Sequence, residues 1–340
     1  MSKLNKRTLG RSRIKVSPLG LGCWPIGGSF KFGGGRESSY GTVNDKESIK
    51  AIQRAIDLGV NFFDTADVYG AGHSEELIGS AIKEYRDDIV IATKFGHLFD
   101  MKTKIAEGTS SEQDYIKQAC EASLKRLKTD YIDLYQLHLW QVPMNDLISI
   151  INTLDDLKSE GKINSYGWST DLHDLGEYFI KNSKSTAIQH EFNVLHDMKE
   201  IINICEKYNV ASINRTVLGM GLLSGKYTLD YSFPNNDVRG EKNDPDWIKY
   251  FNGGKPDPEW LKKLDLIKDV LMSDGRSMVQ GAIAWNWARS EKTIPIPGFK
   301  SIKQVEENIQ AIEFGPLKND QMKEIDEILG ERNFIYSIDE

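Results

Sequence analysis

A regular alternation of strand and helix patterns, repeated eight times along the chain, is the feature that most constrains the fold. Each short apolar run is followed by a stretch in which apolar residues recur at helical spacing. Strands separated by helices pair in parallel, and eight of them predict a single (β/α)8 TIM barrel. An open, doubly wound sheet is the alternative, because periodicity does not show whether a sheet closes. The predicted strands are residues 19–22, 60–64, 89–94, 131–138, 163–169, 186–192, 210–216 and 293–296.

The rest of the chain fits around this repeat without an internal linker, so we predict one domain over residues 1–340. A hairpin at residues 6–14, with its turn near Gly10, precedes the first strand. After the seventh strand, residues 219–258 are rich in proline, glycine and asparagine. A connection this long is either a functional lid or a disordered surface insertion. The predicted helices are residues 46–58, 74–85, 111–127, 145–160, 172–181, 198–208, 259–272, 277–290 and 302–312, the first of them capped by Asn44 or Asp45.

Composition excludes several classes of protein. Of the residues, 39% are hydrophobic, yet no apolar run approaches the about 20 residues that a membrane span needs. The start of the chain lacks the apolar stretch of a secretory signal. Cys23, Cys120 and Cys205 are widely spaced, which indicates reduced thiols and no zinc site. The net charge of -7 argues against a nucleic-acid surface. We therefore expect a cytoplasmic protein that binds a small molecule, with no membrane, nucleic acid or metal.

Four polar residues stand out from the apolar strands. Asp64, Lys94 and His138 end the second, third and fourth predicted strands, and Tyr69 follows in the next turn after Asp64. Taken singly, such residues are usually a helix cap, a solvated lysine and a satisfied core histidine. In a parallel barrel, however, the carboxyl ends of the strands form the active site. We therefore predict that these residues meet as one catalytic group.

The chemistry of this group is that of a proton donor. A free phenol has a pKa of about 10 and is a weak acid, and a neighbouring ammonium lowers that pKa. Lys94 can act on Tyr69 in this way, Asp64 can orient Lys94, and His138 can hydrogen-bond a substrate carbonyl. A carbonyl that gains a proton on oxygen must gain hydride on carbon. Because no side chain supplies hydride, the group implies a nicotinamide cofactor.

The usual dinucleotide motif is missing. Residues 219–225 nearly match the glycine-rich pattern, but Ser224 replaces its third glycine, and the segment follows the seventh strand. Phosphate sites in barrels often use the loops after strands seven and eight. Residues 219–222 and 297–301 occupy those loops, and ordinary turn formation is the alternative explanation for both.

At these segments the chain resembles the aldo-keto reductase superfamily, over nearly its whole length. Residues 63–70 (Phe-Asp-Thr-Ala-Asp-Val-Tyr-Gly), followed by Ser-Glu at 74–75, resemble the signature of the second strand. Residues 91–94 (Ile-Ala-Thr-Lys) and 133–138 (Asp-Leu-Tyr-Gln-Leu-His) resemble two further catalytic segments. The resemblance implies that Tyr69 is the general acid and that NADPH is the hydride donor.

The resemblance also implies a set of cofactor contacts. Lys300 and Ser301 suit a 2′-phosphate, which favours NADP(H), with NAD(H) possible. The sequence departs from the family where Thr170 replaces a common asparagine, Arg215 replaces an aromatic residue, and Gln304 replaces an arginine. A cation at residue 215 would disfavour the oxidised cofactor. The implied cofactor residues are Gly22, Cys23, Trp24, Asp64, Ser169, Thr170, Gln189, Arg215, Thr216, Leu218, Gly219, Gly221, Gly298, Phe299, Lys300, Ser301, Gln304, Glu307 and Asn308.

Trp24 and Trp140 are expected to line the substrate pocket together with Tyr69 and His138. Aromatic walls suit an aldehyde, a ketone or a sugar-like carbonyl compound. The leading hypothesis is an NADP-dependent carbonyl reductase. An NAD(P)-dependent sugar or polyol dehydrogenase and a non-catalytic regulatory subunit, similar to potassium-channel beta subunits, are the alternatives. The substrate, the direction of catalysis and the oligomeric state are left open by the sequence.

Overall fold

A computed structural model describes residues 6–243 and 247–332. Three sequence predictions fall partly outside these residues: the absence of a signal before residue 6, the proline at position 245, and the end of the 1–340 domain.

Eight parallel strands form the central sheet of the described chain. Neighbours pair in chain order, for example Phe63 with Ile91 and Gln136 with Gly167. The ring is completed where the Gly20 and Gly22 amides donate to the Pro295 and Pro297 oxygens, at 3.0 and 3.1 Å. The strands are β1 (Leu21–Gly22), β2 (Phe62–Asp64), β3 (Val90–Phe95), β4 (Leu134–Leu137), β5 (Tyr166–Ser169), β6 (Ala187–Glu191), β7 (Ala211–Arg215) and β8 (Thr293–Pro295). The predicted barrel is confirmed, and the open sheet is wrong.

Helices surround the barrel at the predicted places. Asn44 caps the first one, its side chain accepting from the Glu47 amide, and a capping box at Ser277 and Gln280 begins another. A last helix, over residues 319–329, is not predicted by our sequence analysis. The helices are α1 (Asp45–Asp57), α2 (His73–Ala81), α3 (Gln113–Leu127), α4 (Met144–Ser159), α5 (His173–Lys181), α6 (Lys199–Tyr208), α7 (Pro258–Leu271), α8 (Met278–Arg289), α9 (Ile302–Phe314) and α10 (Asn319–Leu329). Among the described residues, none of the helices is both long and apolar enough to cross a membrane.

Two hydrophobic clusters hold these layers together. The larger one lies between the strands and the helices, and a smaller one fills the barrel itself. The predicted hairpin pairs Arg7–Thr8 with Lys15–Val16 and contributes Leu9 and Val16, both fully buried, to the interior cluster. The hairpin therefore closes the barrel at the amino ends of the strands, opposite the predicted site.

A small four-stranded sheet, which the sequence analysis does not predict, lies beyond the carboxyl ends of the strands. It pairs Lys31–Phe32 and Arg36–Glu37, from the loop after β1, with His97–Asp100 and Ile105–Thr109, from the loop after β3.

The long connection after β7 is packed against the barrel in its described part. Tyr227, Phe233, Val238 and Phe251 are buried in the main hydrophobic cluster. The amide of Val238 donates to the Ser39 oxygen at 2.6 Å, which joins this connection to the loop after β1. This packing does not fit a disordered insertion.

We predict that Gly10→Ala destabilises the protein by about 2 kcal/mol or more. Gly10 has a φ of +54°, and a Cβ there would collide with the Thr186 oxygen and lie 2.7 Å from the Ala211 nitrogen. Gly34→Ala is the matched control, because Gly34 has a φ of +81° with no atom within 4 Å of the added Cβ. It should cost only about 1 kcal/mol. Urea denaturation of both variants measures the difference, and equal losses would contradict the close packing of the hairpin.

Candidate active site

The four predicted catalytic residues meet at the carboxyl end of the barrel. Asp64 is the last residue of β2, Lys94 lies near the end of β3, and His138 follows β4 directly. Tyr69 lies in the turn after β2, where its amide donates to the Ala66 oxygen at 3.2 Å. Adjacent parallel strands bring their ends to one edge, so residues 74 positions apart become neighbours.

The ammonium of Lys94 uses all its hydrogen-bond donors on Asp64, Tyr69 and the neighbouring Thr65. Its Nζ atom lies 2.5 Å from Asp64 Oδ1, 2.7 Å from the Thr65 oxygen and 3.5 Å from the Tyr69 hydroxyl oxygen. The side chain is fully buried. Because Lys94 donates to Tyr69, the phenolic proton of Tyr69 is left available for another acceptor.

Asp64 is fixed from its other side by two amides. Its Oδ2 atom accepts from Gln189 Nε2 at 2.7 Å and from Gln136 Nε2 at 3.1 Å. Gln136 is absent from the predicted set. Its signal in the sequence is a polar residue inside the buried strand β4, a position that needs a hydrogen-bond partner.

The electrostatics of Tyr69 and Lys94 differ in part from the sequence expectation. Burial raises the pKa of the Tyr69 phenol above its ordinary value, although the Lys94 ammonium acts in the opposite direction. Burial alone would lower the pKa of Lys94, but Asp64 and Tyr69 overcome it and raise that pKa. In this arrangement Lys94 is charged and Tyr69 is protonated. The ammonium restrains the rise in the Tyr69 pKa but does not reverse it.

His138 is a neutral imidazole next to the phenol. Its ring centroid lies 5.8 Å from that of Tyr69 and 5.2 Å from that of His97, which belongs to the small sheet. Burial, His97 and Lys94 hold the pKa of His138 well below its usual range. A neutral ring carries a single N–H, which can donate to a carbonyl oxygen.

Asp64, Tyr69, Lys94 and His138 are called the tetrad below. A cavity of about 1550 Å³ opens from the tetrad and runs to the start of α9. It is larger than the roughly 300–1,000 Å³ of a typical small-ligand pocket, so its size fits a dinucleotide with a substrate. The predicted residues that line it are Gly22, Cys23, Trp24, Asp64, Tyr69, His138, Trp140, Ser169, Gln189, Arg215, Thr216, Leu218, Gly221, Gly298, Phe299, Lys300, Ser301, Gln304, Glu307 and Asn308.

Three predicted residues lie outside this lining. Lys94 is buried beneath Tyr69, and Gly219 is a buried residue of the loop after β7. Thr170 is also buried, and its hydroxyl donates to the Trp140 oxygen at 2.8 Å and accepts from the Leu172 amide at 3.1 Å. The structure therefore does not place the Thr170 side chain where it would meet a cofactor.

Arg215 lines the cavity as predicted, but it has a partner that the sequence analysis missed. Its guanidinium donates to Asp171 Oδ2, and beside this pair Lys249 Nζ lies 3.3 Å from Glu191 Oε2. Burial alone would lower the pKa of Arg215, but Asp171 and Glu191 raise it. The sequence signal was one carboxylate two residues after β5 and another at the end of β6. They make this part of the cavity close to neutral.

The far end of the cavity contains the predicted phosphate residues. Lys300 Nζ donates to the Tyr40 and Thr42 oxygens at 2.9 and 2.7 Å, and the Lys300 amide donates to Gln304 Oε1 at 2.7 Å. Ser301 caps the amino terminus of α9. A lysine beside a helix amino terminus is a favourable environment for a phosphate group.

The mouth of the cavity near Tyr69 is aromatic. Trp24 stacks on Tyr69 with ring centroids 5.9 Å apart, and Trp247, which the sequence analysis missed, lies 6.1 Å from Trp24. Trp140 is 41% exposed at the same mouth. Phe32, from the small sheet, adds a further wall. The described residues contain no group of three or more side chains that could hold a metal ion.

Comparison with known proteins agrees with this geometry. The sequence profile of the Aldo/keto reductase family matches residues 18–330. The oxidoreductase YqkF of Bacillus subtilis is 31% identical over 321 residues, which cover 94% of this chain and 95% of that protein. The aldo-keto reductase yakc [NADP(+)] of Schizosaccharomyces pombe is 30% identical, and the alignment covers 92% of this chain and 88% of that protein.

A solved structure gives the same result for the fold. The glycerol dehydrogenase AKR11B4 from Gluconobacter oxydans superposes with a TM-score of 0.81 at 27% identity, and the alignment covers 100% of both chains. The chain therefore belongs to the aldo/keto reductase family and is an NAD(P)H-dependent oxidoreductase acting on carbonyl and alcohol groups.

Proposed function

We propose that the protein reduces the carbonyl group of a small molecule to an alcohol with NADPH, and that Tyr69 donates the proton. The observation that carries this proposal is the bonding of Lys94. Its three donors are taken by Asp64, Thr65 and Tyr69, so Tyr69 accepts from the ammonium and can donate its own hydroxyl proton into the cavity.

Each residue of the tetrad has a separate role in the proposed reaction. A nicotinamide cofactor, when bound, would provide hydride for the carbonyl carbon. His138, as a neutral donor, orients the carbonyl oxygen towards Tyr69, and the Tyr69 hydroxyl transfers its proton to that oxygen. The charge left on the phenolate is stabilised by Lys94, which Asp64 holds in place. In the oxidative direction the same phenolate is the base that removes the proton of the alcohol.

The cavity offers groups for both ends of the cofactor. Ser169 and Gln189 present polar side chains beside the tetrad, and Gln189 donates to Asp64 through Nε2, which leaves its Oε1 atom free for a carboxamide N–H. Lys300 and Ser301 at the start of α9 suit a 2′-phosphate, which supports NADP(H). The relative that is named for NADP(+) agrees with this choice.

The substrate is proposed to be an aldehyde, a ketone or a sugar-like carbonyl compound. Trp24, Trp140 and Trp247 form flat apolar walls, while His97 and the charged pairs beside Arg215 add polar groups. Oxidation of a polyol is the second candidate, since the superposed relative is a glycerol dehydrogenase and the reaction is the reverse of the same step.

We expect Tyr69→Phe to lower the turnover number by about 10²-fold or more, because the ring remains but the transferable proton is lost. Affinity for NADPH should stay within about threefold of the wild-type value, since the phenylalanine fills the same space. Steady-state kinetics with a panel of aldehydes, ketones and sugars, and a fluorescence titration with NADPH, measure the two quantities. Tyr131→Phe, which removes a phenol outside the cavity, is the control. Turnover near the wild-type rate in Tyr69→Phe would contradict the proposed acid.

The pH dependence of reduction follows from the two pKa shifts. His138 has a lowered pKa and stays neutral, so we expect no titration of kcat/KM between about pH 6 and about pH 8. The rate should then fall in alkaline solution as Tyr69, whose pKa is raised, loses its proton. In Lys94→Met the alkaline decrease in rate should occur at a higher pH, because Lys94 acts to lower the Tyr69 pKa. A decrease in rate that occurs at a lower pH than in the wild type would contradict this role of Lys94.

Lys300→Ala should weaken NADPH binding by about tenfold or more and NADH binding by less than about threefold, because NADH lacks the 2′-phosphate. The contacts of Lys300 with the Tyr40 and Thr42 oxygens are lost whichever cofactor is bound. The fold-change in the NADPH dissociation constant, divided by that for NADH, therefore measures the interaction with the 2′-phosphate. Dissociation constants from fluorescence titration provide the test. Lys318→Ala, which removes a lysine that precedes α10 and does not line the cavity, is the control. An equal effect on both cofactors would remove the argument for NADP(H).

A further inference from the structure

Beside the tetrad lies a second cluster of charged residues, which we call the rim quartet: Asp171, Glu191, Arg215 and Lys249. Arg215 pairs with Asp171, and Lys249 pairs with Glu191 at 3.3 Å. All four line the cavity that contains Tyr69. Two acids and two bases therefore balance each other at the edge where β5, β6 and β7 end.

Asp171 is the most constrained member of the rim quartet. Its side chain is only 1% exposed, whereas that of Arg215 is 31% exposed towards the cavity. Asp171 Oδ1 accepts from the Glu191 amide at 2.6 Å, and Oδ2 accepts from Arg215. A carboxylate held between a backbone amide and a guanidinium has a fixed position, so it also fixes Arg215.

The charge of Arg215 acts on the reacting groups. Its guanidinium lowers the pKa of Tyr69 and also that of His138, although burial has the larger effect on each of them. If the proposed function holds, the nicotinamide ring must lie against the carbonyl carbon whose oxygen contacts Tyr69 and His138. The ring is then within the field of Arg215.

This field distinguishes the two forms of the cofactor. The oxidised nicotinamide ring carries a positive charge and the reduced ring carries none. An unpaired cation nearby would repel the oxidised form only, because the reduced ring carries no charge. Asp171 supplies the opposite charge at the guanidinium itself.

We propose that Asp171 is a positioning residue that neutralises Arg215, and that this pairing sets the relative affinity of the site for oxidised and reduced cofactor. The sequence expectation that Arg215 disfavours the oxidised form is thereby modified, because the cation is not alone. The inference rests on the proposed function, and it explains how one site can support both directions of the reaction.

The test is Asp171→Asn, which keeps the shape of the side chain and removes its charge. Dissociation constants of NADP(+) and NADPH are measured by quenching of tryptophan fluorescence, without substrate and at fixed ionic strength. The ratio of the NADP(+) constant to the NADPH constant should rise by about tenfold. In the double variant Asp171→Asn/Arg215→Leu, which lacks both charges, the ratio should return to within about threefold of the wild-type value.

Asp133→Asn is the matched control. Asp133 pairs with Arg86 at 2.9 Å, both side chains are largely buried, and neither residue lines the cavity. This variant loses a carboxylate–guanidinium pair of the same kind, so it should lower stability and leave the ratio of the two dissociation constants unchanged. A merely structural role of Asp171 would give the same result as this control.

The outcomes separate the inference from the proposed function. An unchanged ratio in Asp171→Asn overturns the role of Asp171, while a wild-type protein that binds neither cofactor overturns the proposed function instead. If Asp171→Asn does not fold, Arg215→Leu tests the same pair by removal of its cation. Removing the cation leaves Asp171 facing the ring, so the ratio should fall below the wild-type value. A ratio that stays equal or rises overturns the inference.

Discussion

The buried ion pair between Asp64 and Lys94 is the contact on which the rest of the site depends. Transfer of a lysine and a carboxylate from water to a barrel interior is costly, and the pair is stable only if their remaining donors and acceptors are satisfied. Here Thr65, Gln136 and Gln189 satisfy them. These partners come from several strands of the barrel and the turn after one of them, so the closed ring is a condition for the charged lysine. The charged lysine in turn donates to the Tyr69 hydroxyl and so fixes the position of the protonated phenol.

Burial and charge act against each other on Tyr69, and the outcome suits a proton donor. A solvated phenol next to an ammonium would become a stronger acid, whereas a buried phenol without the ammonium would become a much weaker one. In this site burial has the larger effect and the pKa rises, while Lys94 limits the rise. The hydroxyl therefore keeps its proton at neutral pH, and a stabilised phenolate is still accessible after the proton has been transferred.

The parts of this molecule that could be predicted from sequence are those encoded by local patterns. The eight strands, their flanking helices and the four candidate catalytic residues each have a signal within a few neighbouring residues. The small sheet had none, because its strands are short and pair across distant loops, 31–37 with 97–109. Thr170 was placed on the right segment, but its hydroxyl turns towards the Trp140 oxygen, and sequence does not encode that orientation. Asp171 and Gln136 were missed because their partners are distant in the chain.

The charged groups nearest Tyr69 are paired between different elements of the fold. Asp64 with Lys94, Asp171 with Arg215 and Glu191 with Lys249 contribute equal numbers of acids and bases. Removal of one member of the fully buried pair, Asp64 or Lys94, would cost about 3–5 kcal/mol. A cavity wall that is polar but close to neutral does not favour one charge state of a ligand strongly. In the proposed reaction, hydride transfer would change the charge of the cofactor and proton transfer would change that of Tyr69. A nearly neutral wall would then impose no large electrostatic penalty on either the reactants or the products.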